Sequence, residues 1–159
     1  MSGLSVASVS FTYGAKTALD DVGFVVEPGV FCALLGPNGA GKSTLFSLMT
    51  RLLTSEAGRI EIAGHDLRTA PRKALGALGI VLQQTTLDLD LTVRQNLSYF
   101  AALHGLSGKT AARNIDDALA RMNITDRASE KVRTLNGGHK RRTEIARALL
   151  HSPSVLLLD

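Results

Sequence analysis

The sequence predicts an α/β fold, and three observations predict it. An apolar run, Val30-Phe31-Cys32-Ala33-Leu34-Leu35, leads into a glycine-rich loop and then into Leu45, Phe46, Leu48 and Met49 at helical spacing. Segments with period-two alternation stand on either side of this unit. Three stretches of helical period fill the second half, before a last apolar run at Val155-Leu156-Leu157-Leu158.

The loop, Gly36-Pro37-Asn38-Gly39-Ala40-Gly41-Lys42-Ser43-Thr44, fits G-x-x-x-x-G-K-[ST], a phosphate-binding loop. Its glycines let backbone N–H groups turn inward and approach phosphate oxygens, and the following helix adds the positive end of its dipole. Lys42 is expected to neutralise the β- and γ-phosphates and the Ser43 hydroxyl to ligate Mg²⁺. The strand–loop–helix context predicts binding of a nucleoside triphosphate.

Composition bounds the rest. With 159 residues, 45% hydrophobic and 20% charged, the chain has the size and make-up of one globular domain. The net charge of +4 is spread along the chain, and no nucleic acid is expected as a partner. A single cysteine, Cys32, excludes an internal disulfide and is read as a buried, inert thiol. No basic segment followed by an apolar core opens the chain, and no apolar run approaches the roughly 18 residues of a membrane span.

In chain order, Val9, Phe11 and Tyr13 alternate with Ser8, Ser10 and Thr12, a half-buried strand. Gly14-Ala15-Lys16 is a turn, and Val22, Phe24 and Val26 alternate again until Glu27-Pro28-Gly29. Arg59-Ile60-Glu61-Ile62 repeats the pattern before a turn at 63–66, so the front of the chain reads as a small antiparallel sheet. Gly79-Ile80-Val81-Leu82 suits a buried strand ending at Gln83-Gln84. Thr92-Val93-Arg94-Gln95 fits a capping box, with Leu97, Phe100, Ala101 and His104 behind it at helical period. A second helix from about Lys109 sets Ala111, Ile115, Ala118, Leu119 and Met122 on one face. Asn136 caps a third, which carries Ile145, Ala146, Leu149 and Leu150 and stops at Ser152-Pro153.

The last run is read as a buried strand that ends in Asp159, whose carboxylate would be held near Mg²⁺. Asn136-Gly137-Gly138 at a helix start has the physics of a second anion site, or of an ordinary capped helix. Gln83 reads as a metal ligand, a water-positioning amide or a solvated loop residue. Tyr13 reads as a platform for a base or as a plain core or surface tyrosine. His139 and Lys140-Arg141-Arg142 read as solvated.

Together these pieces resemble the ATP-binding subunit of an ABC transporter, over the whole chain and on five motifs in order. Tyr13 matches the aromatic that stacks on adenine, Gly36 to Thr44 the phosphate loop, and Gln83 the Q-loop glutamine. Leu135 to His139 match the signature L-S-G-G-Q, and Val155 to Asp159 the Walker B strand. Asn136 stands for the signature serine, with an amide that can donate to phosphate in its place, and His139 for its glutamine. The run 87–93 and the basic residues 140–142 look like the export branch.

The resemblance implies a P-loop NTPase (RecA-like) core with an N-terminal antiparallel β subdomain and an inserted α-helical subdomain, the C-terminal part missing. It divides 1–159 into about 1–85 (β subdomain and core), about 86–150 (helical subdomain with the signature) and 151–159 (the Walker B strand). It further implies ATP and Mg²⁺ as cofactors, and catalytic roles for Lys42, Gln83 and Asp159. Ser43, Gln83 and Asp159 would hold the metal. The expected partners are a second ATP-binding subunit, facing the first head to tail, and transmembrane permease subunits that hold the chain to the inner face of the cell membrane.

The family's activating glutamate, D-loop and switch histidine would follow Asp159, so the chain is expected to be the front part of a longer subunit. Two other readings stay open, a soluble ATPase of the same type outside transport and a nucleotide-binding module without hydrolysis. The repair-type version of the first carries a long coiled coil between loop and signature, and no heptad run lies between Gly36 and Leu135.

Overall fold

The computed structural model describes residues 3–55 and 57–159. The chain forms two compact units, Met1–Leu78 and Gly79–Asp159.

In the first unit, β1 (Leu4–Tyr13) and β2 (Lys16–Val26) form a hairpin running from Leu4 opposite Val26 to Tyr13 opposite Lys16. The other edge of β1 pairs antiparallel with β3 (Ala57–Ile62), and β4 (His65–Asp66) completes a sheet of order β2-β1-β3-β4. This is the antiparallel sheet that the alternating residues predict. Ser8 and Asp21, both at φ 48°, interrupt the pleat, and the register shifts between Val6 and Val9. Leu4, Val6 and Val9 of β1, Leu19 of β2 and Ile62 of β3 are buried, as are Leu45, Leu48 and Met49 of α1 (Lys42–Met49). Each fully buried leucine of this set contributes roughly 1.5–3 kcal/mol relative to an exposed one.

The run Val30–Leu35, expected as a strand, is not one. It belongs to neither sheet and is exposed, with Phe31 and Leu35 each 87% accessible. A strand exists by its ladder, and no described segment offers these residues a partner edge. For the same reason Cys32, expected to be buried, is exposed.

Asp66 closes the first unit's last turn, before α2 (Pro71–Gly76). Its Oδ1 accepts the N–H groups of Arg68 (2.7 Å) and Thr69 (3.0 Å), and its Oδ2 accepts Arg59 Nε at 2.7 Å. The residue is 8% exposed, so three donors satisfy a carboxylate that has little water.

The second unit is mainly helical. α3 (Val93–Leu103) begins at the predicted capping box: Thr92 Oγ1 accepts the Gln95 N–H at 3.1 Å, and Gln95 Oε1 accepts the Thr92 N–H at 2.8 Å. α4 (Gly108–Arg121) and α5 (Gly137–Leu149) pack with it around Val93, Leu97, Ala101, Ile115, Leu119, Ala146 and Leu150. The segment before α3 is zipped to the one before α5: Val132 N–H donates to Leu91 O and Arg133 N–H to Leu89 O, each at 3.0 Å. Arg133 also pairs with Asp90. Buried Asn96 ties the same loop to its helix by accepting the Asp88 N–H (2.8 Å) and donating to Asp88 O (2.9 Å).

β5 (Leu78–Val81) and β6 (Val155–Leu158) make a two-stranded sheet. β5 is largely buried, as predicted. β6 is not: Leu156 and Leu158 are exposed and Val155 and Leu157 half-buried, because β5 is its one sheet neighbour among the described residues.

The Thr69 N–H, with the Arg68 N–H and the Arg59 guanidinium, holds the Asp66 carboxyl below its ordinary value of 3.8 against the opposing effect of burial. A depressed carboxylate adds stability above its unfolded pKa and loses it as pH falls through the folded one. Asp66→Asn is therefore expected to destabilise the protein at pH 7. The difference in urea midpoint from the natural chain should shrink as pH falls below about 4. A difference that does not change with pH would refute the assignment.

Candidate functional site

The site is built outward from the start of α1. Residues 30–37 have no regular structure, 38–40 turn, and the Ala40 N–H donates to Pro37 O at 3.2 Å. Gly41, at φ 88° and ψ 3°, is the N-cap, and the helix has no side-chain cap and no acidic residue in its first turn. The first intrahelical bond is from the Leu45 N–H to Gly41 O, at 2.9 Å. The N–H groups of Lys42, Ser43 and Thr44 precede it and have no intrahelical acceptor. Lys42 curls back over the loop, its Nζ donating to Gly36 O (2.6 Å) and Pro37 O (2.8 Å). Ser43 is exposed and Thr44 buried. Asn38, Gly39 and Ala40 form the open outer wall.

This arrangement fits a phosphate group. An ammonium at the loop's centre, unpaired N–H groups at a helix start and the absence of a nearby first-turn carboxylate are what an anion requires. The glycine at 41 answers a second demand, invisible in the motif. A Cβ there would lie 2.4 Å from Ala18 O and 2.7 Å from Leu19 Cδ2, both on β2. The loop is thus pressed against the hairpin near its turn, where Tyr13 stands 52% exposed, edge-on to Phe11 with ring centroids 5.0 Å apart. Leu19 lies opposite Phe11 in the ladder, so the hairpin that touches Gly41 is the one that presents Tyr13.

The second unit carries the other candidate residues. Gln83 is an exposed bend residue two positions past β5, and Asp159 is exposed directly after β6. The structure brings their backbones together, since the Asp159 N–H donates to Val81 O at 2.9 Å. Both offer hard oxygen donors, the kind Mg²⁺ takes. Asn136 is the N-cap of α5, its Oδ1 accepting the His139 N–H at 2.8 Å. That bond assigns the oxygen of the amide and leaves the NH₂ facing outward beside exposed Gly137 and Gly138.

One reading fails here. Arg141, expected on a solvated face, is half-buried, and its guanidinium donates through Nη1 to Leu82 O and through Nη2 to Asp159 O at 2.8 Å. Glu144, buried, accepts the Thr86 N–H on Oε1 at 3.0 Å and faces Arg141 Nη1 at 3.5 Å. Arg147 lies over the Phe100 ring at 5.0 Å and donates to Thr86 O at 3.4 Å. Burial lowers the pKa of Arg147, and the Glu144 carboxylate opposes that shift. The signal in the sequence was Glu144 itself, an acid between Thr143 and Ile145-Ala146, three residues after an arginine.

The sequence pattern of the family described as ABC transporter matches residues 19–159. The chain is 38% identical over 156 residues to the "Daunorubicin resistance ATP-binding protein DrrA3" of Streptomyces coeruleorubidus, covering 98% of this chain and 49% of that protein. It is 38% identical over 161 residues to "Nod factor export ATP-binding protein I" of Burkholderia thailandensis, covering 98% and 53%. The chain thus spans about half the length of the curated relatives it matches. Among solved structures, cbiO1 of Clostridium perfringens, part of the ABC transporter complex cbiONQ, superposes with a TM-score of 0.90 at 30% identity. That match covers 99% of this chain and 65% of the other.

The contact at Gly41 separates two glycines of one loop. Gly39 has φ 85° and nothing within 4 Å of a Cβ, so Gly39→Ala should cost about 1–2 kcal/mol, the left-handed penalty alone. Gly41→Ala, at φ 88°, must also displace the Ala18 carbonyl and is expected to cost clearly more. Urea denaturation of the two variants checks this, and equal losses would contradict the packing described.

Proposed function

This chain belongs to the ABC transporter family, and from that premise we propose that it is the ATP-binding part of an export-type transport ATPase. The observation that carries the proposal is the loop 36–44, which opens into α1 with its lysine folded inward and its first-turn N–H groups unpaired. The relatives named for daunorubicin resistance and Nod factor export support the export direction.

In this reading the amides of Gly39, Gly41, Lys42 and Ser43 hold the phosphates, and Lys42 exchanges its two loop carbonyls for β- and γ-phosphate oxygens. Tyr13 stacks on the adenine. The Ser43 hydroxyl, the Gln83 amide oxygen and the Asp159 carboxylate would hold Mg²⁺, which neutralises charge on the β- and γ-phosphates when bound. Water attacks the γ-phosphorus in line as the bond to the leaving oxygen breaks. Lys42 and the loop amides stabilise the charge that spreads over the transferred group. In the whole protein the residue that activates this water would lie beyond Asp159.

Asn136, Gly137 and Gly138 would face ATP held on a second subunit, arranged head to tail. The amide NH₂ of Asn136 would donate to its γ-phosphate while Oδ1 stays on the cap. ATP binding would close the pair and hydrolysis reopen it, driving permease subunits that hold the protein at the inner face of the cell membrane. No described helix is long and apolar enough to cross a membrane itself.

Two substitutions in the full-length protein test the reading. Lys42→Ala should weaken ATP binding by about tenfold or more, the loss of a charge-assisted contact, and abolish turnover. Natural affinity and turnover in that variant would refute the assignment. Asn136→Asp keeps an acceptor for the His139 N–H but removes the donor. It should preserve thermal stability and ATP binding by the single subunit, and abolish ATP-dependent dimers in light scattering. Normal dimers would remove Asn136 from the site.

A further inference from the structure

We propose that Arg141 is a positioning residue for the divalent cation: its guanidinium fixes the spacing of the strand ends that carry Gln83 and Asp159, and so tunes metal affinity apart from nucleotide affinity. The inference rests on the assignment of those two residues to Mg²⁺ under the proposed function, and it lies wholly within the second unit.

The pairing of β5 with β6 runs out where it matters. Its last backbone bond runs from the N–H of Asp159, one candidate ligand, to Val81 O at 2.9 Å, two residues short of the other, Gln83. Beyond that point, what joins the two chain segments is the fork of Arg141, with Nη1 on Leu82 O and Nη2 on Asp159 O. A guanidinium is planar and rigid, so two carbonyls on one fork are held at a set separation. Gln83 follows Leu82 directly, its Cα about 3.8 Å from the preceding one, and Asp159 is itself one of the clamped residues.

The clamp is held from behind. Glu144, its side chain 4% exposed, faces Arg141 with one oxygen (3.5 Å) and accepts the Thr86 N–H with the other (3.0 Å). The segment that carries Gln83 is therefore fastened on both sides, at Leu82 and at Thr86, by two residues one turn apart on α5. Arg141 cannot itself ligate a cation, since it has no acceptor atom and carries like charge. It acts through the backbones it joins. Groups that orient metal ligands in this way govern affinity for the metal, because a site whose donors must first be brought together binds less tightly.

The test uses the full-length protein, with Mn²⁺ as the probe, followed by electron paramagnetic resonance in the presence of ATP. ATP binding in EDTA and the thermal midpoint are measured beside it. Arg141→Met, which keeps length without the fork, should weaken Mn²⁺ binding by about tenfold, the scale typical of such orienting groups. Its metal-free ATP affinity should match the natural protein's. Arg141→Lys, whose ammonium can reach one carbonyl but not span both, should fall between. Should Arg141→Met fail to fold, the lysine variant alone decides.

Mn²⁺ affinity equal to the natural protein's in a folded variant overturns the proposal. So does a parallel loss of Mn²⁺ affinity, metal-free ATP affinity and melting temperature, which is the mark of a residue that only supports the fold. A natural protein that binds no ATP would instead overturn the nucleotide reading beneath it, and the two failures are distinct.

Discussion

The carbonyl oxygen of Ala18 lies 2.4 Å from where a side chain at residue 41 would begin, and much of the first unit follows from that contact. The hairpin and the helix α1 can meet there only through a residue with no Cβ. Once they meet, the N-terminus of α1 has no room for an ordinary side-chain cap, and its cap is Gly41 in the left-handed region. Leu19, beside Ala18, faces Phe11 across the ladder, so the sheet core and the loop are fixed by neighbouring residues of one strand. Packing thus asks for glycine at 41, whereas at 39 the fold asks only for backbone freedom.

In the second unit the governing constraint is the satisfaction of backbone groups by side chains. The capping box of Thr92 and Gln95 closes the start of α3, and Asn96 takes up the loop before it. Arg141 occupies the carbonyls of Leu82 and Asp159, and Glu144 and Arg147 occupy both the N–H and the carbonyl of Thr86. Charge-assisted bonds of this kind are roughly twice as strong as neutral ones, which suits them to a loop with no ladder of its own. Three residues of one helix, each three positions from the next, thereby order a loop that has no regular structure of its own.

What the sequence made legible was local chemistry. Period-two alternation found β1, β2 and β3, the capping box found the start of α3, and Asn136 found that of α5, since each is decided by residues within one turn or one strand. What it hid was pairing. Val30–Leu35 has the composition of a buried strand, yet composition cannot supply a neighbouring edge, and with no ladder Cys32 and Phe31 face outward. β6 shows the same gap from the other side, with one neighbour among the described residues and two of its three leucines exposed. Arg141 was hidden because its partners are 18 and 59 positions away along the chain, beyond any helical or strand period. The phosphate loop, by contrast, was legible in full as a motif, while the reason that Gly41 in particular must be glycine was not.

The helix starts show how fold and site divide the same backbone groups. α3 is closed by its reciprocal box, which leaves little for a ligand. α5 is half-closed: Asn136 takes the His139 N–H, and the N–H groups of Gly137 and Gly138 lie ahead of it in the first turn. α1 has no side-chain cap at all. An open start by itself distinguishes nothing, because α4 also begins at Ser107 without a side-chain cap. What sets α1 apart is that the loop 36–41 folds back over its first turn and that Lys42 is already seated inside that loop. The two carbonyl bonds fold the loop around Lys42, and the ammonium keeps one of its three donors unspent. These two bonds, and not the missing cap, are what distinguish the start of α1 from that of α4.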